Sequence, residues 1–188
     1  MDLRLARWLL ARNRWLPWPL LLWIRTLATW STSDGISVGA LDPKAGPLLR
    51  KVAAALVLIR ELSPALYRRV RGNISRILVA PLRGLSGAHY FGTATCALDE
   101  GFVSDYPTGM IAGTLVHEAT HARISRAGTI AIWGAGGRRA EVLCTRSERA
   151  FAQLLSTADY PSLDDWLHYL DKRIEALQAD IGGTRPAA

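Results

Sequence analysis

The run Leu115-Val116-His117-Glu118-Ala119-Thr120-His121 sets two histidines four residues apart. On an α-helix, residues i and i+4 share one face with Cβ atoms about 5–6 Å apart, so two imidazoles can bind one ion. Zinc binds imidazole nitrogens at roughly 2.0–2.1 Å. Glu118 stands one step of about 100° round the helix from His117, so its carboxylate can reach a water molecule beside the metal without being a ligand. The pattern predicts a zinc site with Glu118 as the general base.

The residues on both sides of this run predict a buried helix from Thr108 to Arg126. Pro107 and Thr108 form a start signal, because proline is tolerated in the first turn and threonine is a good N-cap. Most other positions are apolar, as expected of a helix inside a core. The alternative to a metal is a pair of buried histidines with protein hydrogen-bond partners. Because buried histidine and glutamate are costly unless they are satisfied, the context favours the metal.

A third ligand is predicted at Glu141, twenty residues after His121. A catalytic zinc usually has three protein ligands and one open position. Glycines in the connection allow the chain to turn back, and Glu141 opens a second helical pattern, Arg138–Leu155. A carboxylate near a helix N-terminus also interacts well with the helix dipole. A helix that returns beside the first would bring Glu141 to the two histidines.

Three alternatives compete with this assignment. Glu141 could instead balance the arginines that precede it at a helix start, and Glu148, seven residues further along the same helical face, is a rival ligand. Cys144 could ligate zinc as a thiolate, but a lone cysteine among apolar residues is more often core packing. The predicted ligand set is therefore the two histidines and Glu141.

The pattern His117-Glu118-x-x-His121 followed by Glu141 resembles the gluzincins, the zinc peptidases that include the thermolysin-like enzymes. The resemblance implies a zincin-like fold, zinc binding by His117, His121 and Glu141, and polarisation of a water molecule by Glu118. It also implies hydrolysis of peptide bonds in a peptide or protein substrate. It covers about residues 90–155 of the chain.

Two features separate this chain from related patterns. In the thermolysin group an acidic residue four places after the third ligand supports a histidine ligand from behind, but here that position is Thr145. The sequence therefore leaves this support unassigned. The other zincin layout places a third histidine shortly after the second, and the next histidine after His121 is His168, so the glutamate layout is preferred.

A peptidase also needs a group that stabilises the oxyanion. Gluzincins commonly use a histidine, tyrosine or arginine from a distant part of the chain, and this suggests His168 or Tyr160 for substrate or oxyanion contact. A helix is predicted over Ser162–Ile181, and His168 lies off its apolar row. The alternative for His168 is a solvated histidine.

The fold class predicted from the remaining patterns is α+β, a mostly helical zincin-like domain with a small sheet packed beside the active-site helix. β-Branched and aromatic residues predict strands over Ile74–Ala80 and His89–Leu98. Helices are predicted over Leu48–Leu62 and Pro64–Val70. Because a strand edge can hydrogen-bond any peptide backbone, the resemblance suggests that the segment Tyr90–Ala97 pairs with substrate. The alternative is a hairpin with a covered edge.

The first 30 residues hold five arginines against one aspartate, and five of the seven tryptophans. Basic and aromatic residues together are typical of the membrane interface, which suggests peripheral membrane contact through residues 1–30. The apolar run Trp15–Ile24 is shorter than the span of about 20 residues that a bilayer needs. The alternative is a tryptophan-rich helix that covers the core. No nucleic acid partner is expected, because there is no basic stripe with interleaved aromatics beyond this segment.

Composition predicts one domain of ordinary size with a real core, since 49% of the 188 residues are hydrophobic and the formal charge is +7. Cys96 and Cys144 give no disulfide framework and no metal-type spacing, so two free buried thiols are expected. The chain divides into a Trp/Arg-rich segment 1–32, a zincin-like metallopeptidase domain 33–181 and a loose tail 182–188. The predicted location is cytoplasmic, peripheral at the membrane if the first segment binds it, with export left open.

The function predicted from the sequence is zinc-dependent hydrolysis of peptide bonds. Zn²⁺ is the predicted cofactor, and Glu118 is the predicted catalytic residue. The alternative is a non-catalytic, zinc-stabilised interaction module at a membrane surface. Its motivation is the basic and aromatic front of the chain together with the unassigned oxyanion group.

Overall fold

A computed structural model shows an α+β fold in which a five-stranded sheet packs against a layer of helices. The structure describes residues 3–12, 24–42, 44–82, 84–90, 93–128, 134–157, 160 and 162–183. The strands are β1 Thr29–Ser33, β2 Ile36–Ala40, β3 Arg76–Ala80, β4 Gly87–Tyr90 and β5 Thr95–Asp99. The longer helices are α1 Leu3–Arg12, α2 Gly46–Leu62, α3 Pro64–Asn73, α4 Glu100–Asp105, α5 Thr108–Ala127, α6 Gly134–Ala152 and α7 Leu163–Gly183.

The sheet has the strand order β1-β2-β3-β5-β4. The three central strands β2, β3 and β5 run parallel, and the two outer strands β1 and β4 pair antiparallel to their neighbours. Helices α2 and α3 make the crossover from β2 to β3. Strand β4 is therefore an edge strand, and it packs against α5.

The hairpin from β1 to β2 is absent from the sequence-based prediction, although the chain contains its signal. Asp34 and Gly35 connect the two strands and have φ angles of 51° and 80°. Positive φ at both central residues is typical of the tight hairpin turn that Asp-Gly favours. Both strands are short, β1 is mostly polar, and Ile36 and Val38 are the large apolar residues of β2, so the hydrophobic pattern of the hairpin is weak.

Two apolar clusters lie on opposite faces of the sheet. Ile77 and Val79 of β3 point into the inner core, a cluster that also takes side chains from α2 and α5. Leu78 and Ala80 point into the outer core, which contains side chains from α1. Alternate strand residues face opposite sides of a sheet, and a strand covered on both sides reads as a continuous apolar run. Strand β3 is such a strand.

The long helices agree with the sequence-based prediction to within a few residues. The predicted helix Thr108–Arg126 is α5, and the predicted strand Ile74–Ala80 is β3, shortened by two residues. The prediction for His89–Leu98 is wrong in one respect: the segment is not one strand, because β4 ends at Tyr90 and β5 begins at Thr95. A positive φ of 47° at Ala94 marks the turn between them.

The predicted substrate edge is also misplaced. Most of the segment Tyr90–Ala97 lies in the turn and in β5, which is paired on both sides by β3 and β4. The exposed edge of the sheet beside α5 is β4, Gly87–Tyr90. The period-2 pattern of such short strands does not reveal where the chain reverses, and this is why the sequence misassigns the edge.

The described part of the N-terminal segment packs on the sheet. Ala6, Leu10 and Ile24 are buried in the outer core, and Arg7 forms an ion pair with Glu100 at the start of α4. These contacts fit the alternative in which the first helix covers the core.

Outward from that helix, Trp8 is half exposed. Trp15, Trp18 and Trp23 of the predicted membrane-contact segment lie outside the described residues, as does the part of the predicted tail after Gly183. None of the helices in the described ranges combines the length and apolar character that crossing a bilayer requires.

Candidate metal centre

Helix α5 places the two predicted histidine ligands side by side. The ring centroids of His117 and His121 are 5.0 Å apart, as expected for residues four apart on a helix. His117 and Glu118 are almost fully buried, and His121 is partly exposed. The opposite side of α5 anchors the helix in the inner core through residues such as Leu115 and Ala119. The apolar side of the helix therefore fixes the position of its polar side.

Helix α6 returns beside α5 and brings Glu141 to both histidines. Oε1 of Glu141 lies 3.0 Å from Nε2 of His121, and Oε2 lies 3.6 Å from Nε2 of His117. Donor atoms in tetrahedral positions about 2.0–2.1 Å from a zinc ion are themselves roughly 3.3 Å apart. The two contacts, each made by a different oxygen of Glu141, have lengths close to this spacing.

Glu148 supports His117 from behind. Nδ1 of His117 donates a hydrogen bond to Oε2 of Glu148 at 3.0 Å, so Nε2 is the nitrogen that faces His121 and Glu141. Metal-binding histidines commonly donate their second ring nitrogen to a carboxylate, which fixes the tautomer and the ring orientation. Glu148, a rival metal ligand in the sequence-based prediction, is therefore the residue that supports His117. In the thermolysin group the supporting acidic residue stands at the position of Thr145. Here the support comes from Glu148, three residues or about one helical turn further along α6.

Cys144 also lies beside the histidines, although the sequence analysis set it aside. Among the described residues, His117, His121 and Cys144 offer ligand atoms within 4.8 Å of one another and could together hold a metal ion. The thiol is fully buried next to Ile124 and Ala140. Cys144 is not joined to Cys96, and both thiols are free and buried, as the sequence predicts.

The charges in this region depend on one another. Burial raises the pKa of Glu118, and the neighbouring Glu141 and Glu148 raise it further against the opposing effect of the two histidines. Burial lowers the pKa of His117, but hydrogen bonds and charges from the surrounding glutamates outweigh burial and raise it to about 10. Burial raises the pKa of Glu141, but its hydrogen bonds with the histidines produce a net decrease. The site attracts a cation, and a metal ion competes with protons for the imidazole nitrogens.

The thiol of Cys144 is in a different situation. Burial raises its pKa well above the usual range, and the charges of Glu118, Glu141 and Glu148 raise it further. A thiol binds metal as the thiolate. The surroundings therefore favour the neutral thiol when no metal is bound, whereas a metal ion at this position would favour the thiolate.

A cleft of about 1080 Å³ opens above the histidines. Its lining includes His117, Glu118, His121 and Glu141 on one side and residues of β4 on the other. A Cβ atom added to Gly87 in β4 would lie 2.9 Å from the Thr114 side chain and 3.3 Å from that of Glu118. Glycine therefore allows the edge strand to approach Glu118 closely, and the strand forms one wall of the cleft.

His89 is a further cleft residue that the sequence analysis did not single out. It belongs to β4, and burial, together with the nearby His121, lowers its pKa to about 4. His89 is therefore neutral near pH 7. The sequence does not show that His89 lies at the edge of the sheet, because this depends on the chain reversal between β4 and β5.

Arg173 and Tyr169 of α7 also line the cleft. Nη2 of Arg173 donates a hydrogen bond to Oε2 of Glu141 at 3.0 Å. Burial lowers the pKa of Arg173, but the nearby Tyr169, Glu141 and Glu148 outweigh burial and raise it. The two residues lie four apart, so one face of α7 presents both of them. That Tyr169 and Arg173 reach the cleft follows from the packing of α7 against it, which the sequence does not reveal.

The two residues predicted for substrate or oxyanion contact lie elsewhere. Tyr160 is buried against Trp166 in a small apolar cluster, with ring centroids 5.6 Å apart. His168 is exposed on α7. Within the described ranges, neither side chain is among those that line the cleft. The structure thus brings together His117, Glu118, His121 and Glu141, but not Tyr160 and His168.

Comparison with protein-family models, with curated proteins and with solved structures finds no match for this chain.

Proposed function

We propose that the protein is a zinc-dependent hydrolase of peptide bonds with a minimal, zincin-like architecture. The observation that carries the proposal is the convergence of the two Nε2 atoms of His117 and His121 on the carboxylate of Glu141. Glu118 lines the same cleft beside them. Two imidazoles and one carboxylate form the donor set of a catalytic zinc site, which keeps one position open for water or substrate.

The third ligand in this proposal is Glu141 and not Cys144. Glu141 is partly exposed to the cleft and directs one carboxylate oxygen toward each histidine. Cys144 is fully buried and is not among the described residues that line the cleft. Imidazole and carboxylate donors suit zinc, which accepts nitrogen, oxygen and sulfur ligands alike.

Glu118 is the catalytic residue of the proposal. When bound, zinc supplies a Lewis acid that lowers the pKa of a water molecule and polarises the scissile carbonyl. Glu118 accepts the proton of the attacking water and later delivers it to the leaving amine, which is general acid-base catalysis by one carboxyl group. Helix α5 fixes the position of Glu118 relative to His117 and His121, because all three side chains belong to it. No covalent intermediate with a protein residue is needed.

The substrate in this proposal is an extended peptide beside β4. Strand β4 is paired only on the side of β5 within the described sheet, and its other side faces the cleft near Glu118. An extended chain can add to such an edge through main-chain hydrogen bonds that do not depend on side chains. The scissile bond would then lie between the edge strand and the histidines.

Tyr169 is our preferred oxyanion donor. The side chain of Tyr169 is exposed and lines the cleft. Its hydroxyl group can donate a hydrogen bond. Tyrosine hydroxyls are among the groups that stabilise developing negative charge on a carbonyl oxygen.

The central test is the substitution Glu118→Gln in zinc-loaded protein. We expect bound zinc to be retained and hydrolysis of a mixed peptide library to fall by about 10²–10⁴-fold, the usual contribution of general acid-base catalysis. Zinc content and cleavage products are measured on the same samples. Glu61→Gln, at the exposed end of α2, is the matched control and should keep full activity. Full activity in Glu118→Gln would remove Glu118 from its role, and a wild-type protein that binds zinc without cleaving any peptide would favour the interaction module.

The ligand assignment is tested by comparing Glu141→Ala with Cys144→Ala. Loss of zinc from Glu141→Ala together with zinc retention in Cys144→Ala supports the proposed donor set. The reverse result would make Cys144 the third ligand.

A further inference from the structure

Arg173 occupies an unusual position, because it is a cation beside a residue that would bind another cation. Its Nη2 atom lies 3.0 Å from Oε2 of Glu141. The other carboxylate oxygen, Oε1, is the one closest to His121, at 3.0 Å. The two oxygens of Glu141 are therefore not equivalent: Oε2 is held by the guanidinium and lies 3.6 Å from Nε2 of His117, whereas Oε1 makes the shorter contact, 3.0 Å, with His121.

A purely structural explanation for this contact is available. The ion pair joins α6 to α7, and these helices pack extensively against each other. A second ion pair, between Arg149 of α6 and Asp171 of α7, joins the same two helices. If Arg173 only tied the helices together, the two pairs would be equivalent in effect.

Three features distinguish Arg173 from Arg149. Arg173 lines the cleft, and Arg149 does not appear among its described lining residues. The partner of Arg173 is the carboxylate that contacts both histidines, whereas the partner of Arg149, Asp171, is not among the described residues that line the cleft. Arg173 also stands four residues after Tyr169 on one face of α7, and both residues line the cleft.

We infer that Arg173 is a positioning residue that holds Glu141 by Oε2 and presents Oε1 to the metal beside His121. The inference rests on the proposed metal site. It goes beyond that site because it assigns different tasks to the two oxygens of the third ligand.

The chemical consequence concerns the number of positions left around the metal. A carboxylate can bind a cation through one oxygen or through both. A guanidinium that retains one oxygen favours binding through the other alone, which preserves the open position that hydrolysis needs. Partners that orient a metal ligand in this way typically contribute about 10–100-fold in metal affinity or activity.

The test is zinc affinity, measured by competition with a chromogenic chelator, for Arg173→Ala, Arg173→Lys and the control Arg149→Ala. We expect Arg173→Ala to lose roughly 10–100-fold in affinity. Arg173→Lys should recover part of the loss, because an ammonium group can donate to one oxygen but lacks the planar fork. Arg149→Ala should bind zinc as the wild type does, although it removes an ion pair between the same helices. The visible spectrum of Co²⁺-substituted protein should change in Arg173→Ala and not in Arg149→Ala.

Equal affinities in Arg173→Ala and the wild type, or equal losses in Arg173→Ala and Arg149→Ala, would overturn the inference. These outcomes are separable from failure of the proposed function. Hydrolysis with an unchanged affinity in Arg173→Ala rejects only the inference. Absence of hydrolysis together with a selective affinity loss in Arg173→Ala rejects only the peptidase.

Discussion

The inner core and the metal centre lie on opposite sides of one helix and are stabilised in different ways. In the inner core, α5 contributes apolar side chains such as Ile111 and Leu115, whose burial is favourable without regard to direction. In the metal centre, the same helix contributes His117 and Glu118, which are costly to bury unless each finds its partner. Burial of the apolar side of α5 therefore stabilises the fold enough to offset the cost of burying His117 and Glu118 on its polar side.

The two regions also differ in their tolerance of small displacements. An apolar core accepts volume-conserving exchange at modest cost. The polar atoms of the metal centre lie 3.0–3.6 Å from one another, and shifts of a few tenths of an ångström weaken such contacts. Damage to the core should therefore lower the free energy of unfolding, whereas damage to the site should lower the affinity for zinc.

The largest loss of stability is expected from Phe151→Ala. Phe151 is fully buried in the inner core, and replacing a buried phenylalanine with alanine typically costs about 3–5 kcal/mol. Chemical denaturation should show this loss, while the zinc affinity of the folded protein stays close to that of the wild type. Phe151→Leu is the control and should cost less, because it leaves a smaller cavity. A folded Phe151→Ala protein that no longer binds zinc would show that the two regions are not separable.

Removal of zinc should have a smaller effect on stability but abolish activity. A ligand present at 100 times its Kd stabilises the folded state by about 2.7 kcal/mol, which corresponds to roughly 5–11 °C in Tm for a chain of this size. We expect chelation to lower Tm by about this amount and to leave the far-ultraviolet circular dichroism spectrum unchanged, since the inner core is intact. Readdition of zinc should restore activity. Unfolding on chelation would contradict the comparison, because the fold would then depend on the metal.

The smallest effect is expected from Glu148→Gln. The amide can still accept a hydrogen bond from Nδ1 of His117, but without the negative charge that strengthens it. We expect zinc affinity to fall about tenfold, at the lower end of the range for partners of metal ligands. Calorimetric titration measures this change, with Glu175→Gln on the exposed side of α7 as the control. An unchanged affinity would mean that Glu148 contributes packing alone.

Local sequence predicted the helix that carries the site. The spacing of His117 and His121 and the apolar residues around them are properties of one continuous helix, so α5 was predicted almost to its last residue. Glu141 was predicted from its spacing, and the structure brings it to both histidines. The α+β fold class was also predictable, because β3 is a continuous apolar run and apolar residues in the helical segments recur with the helical period of 3.6 residues.

The sequence-based prediction failed where the chain reverses or where distant segments meet. The hairpin at Asp34-Gly35 was overlooked, although its turn signal is present, because its strands have little apolar alternation. The strand assigned to the substrate edge was misplaced, because the apolar and aromatic residues of 89–98 read as one run, and the sequence does not show that Tyr90 and Thr95 belong to different strands. Tyr160 and His168 were selected by residue type, and residue type does not reveal which side of α7 faces the cleft.

The sequence alone predicts His117, His121 and Glu141 as candidate ligands, and it predicts the helix on which the two histidines stand. This is possible because helical spacing acts over a few residues. Only the tertiary structure decided that Glu148 supports His117, that Arg173 holds Glu141, and that β4 is the strand beside Glu118. The two hydrogen bonds join residues 31 and 32 positions apart on different helices, and their formation depends on how helices and strands pack. Packing is set by the burial of the whole apolar surface, which no short stretch of sequence specifies.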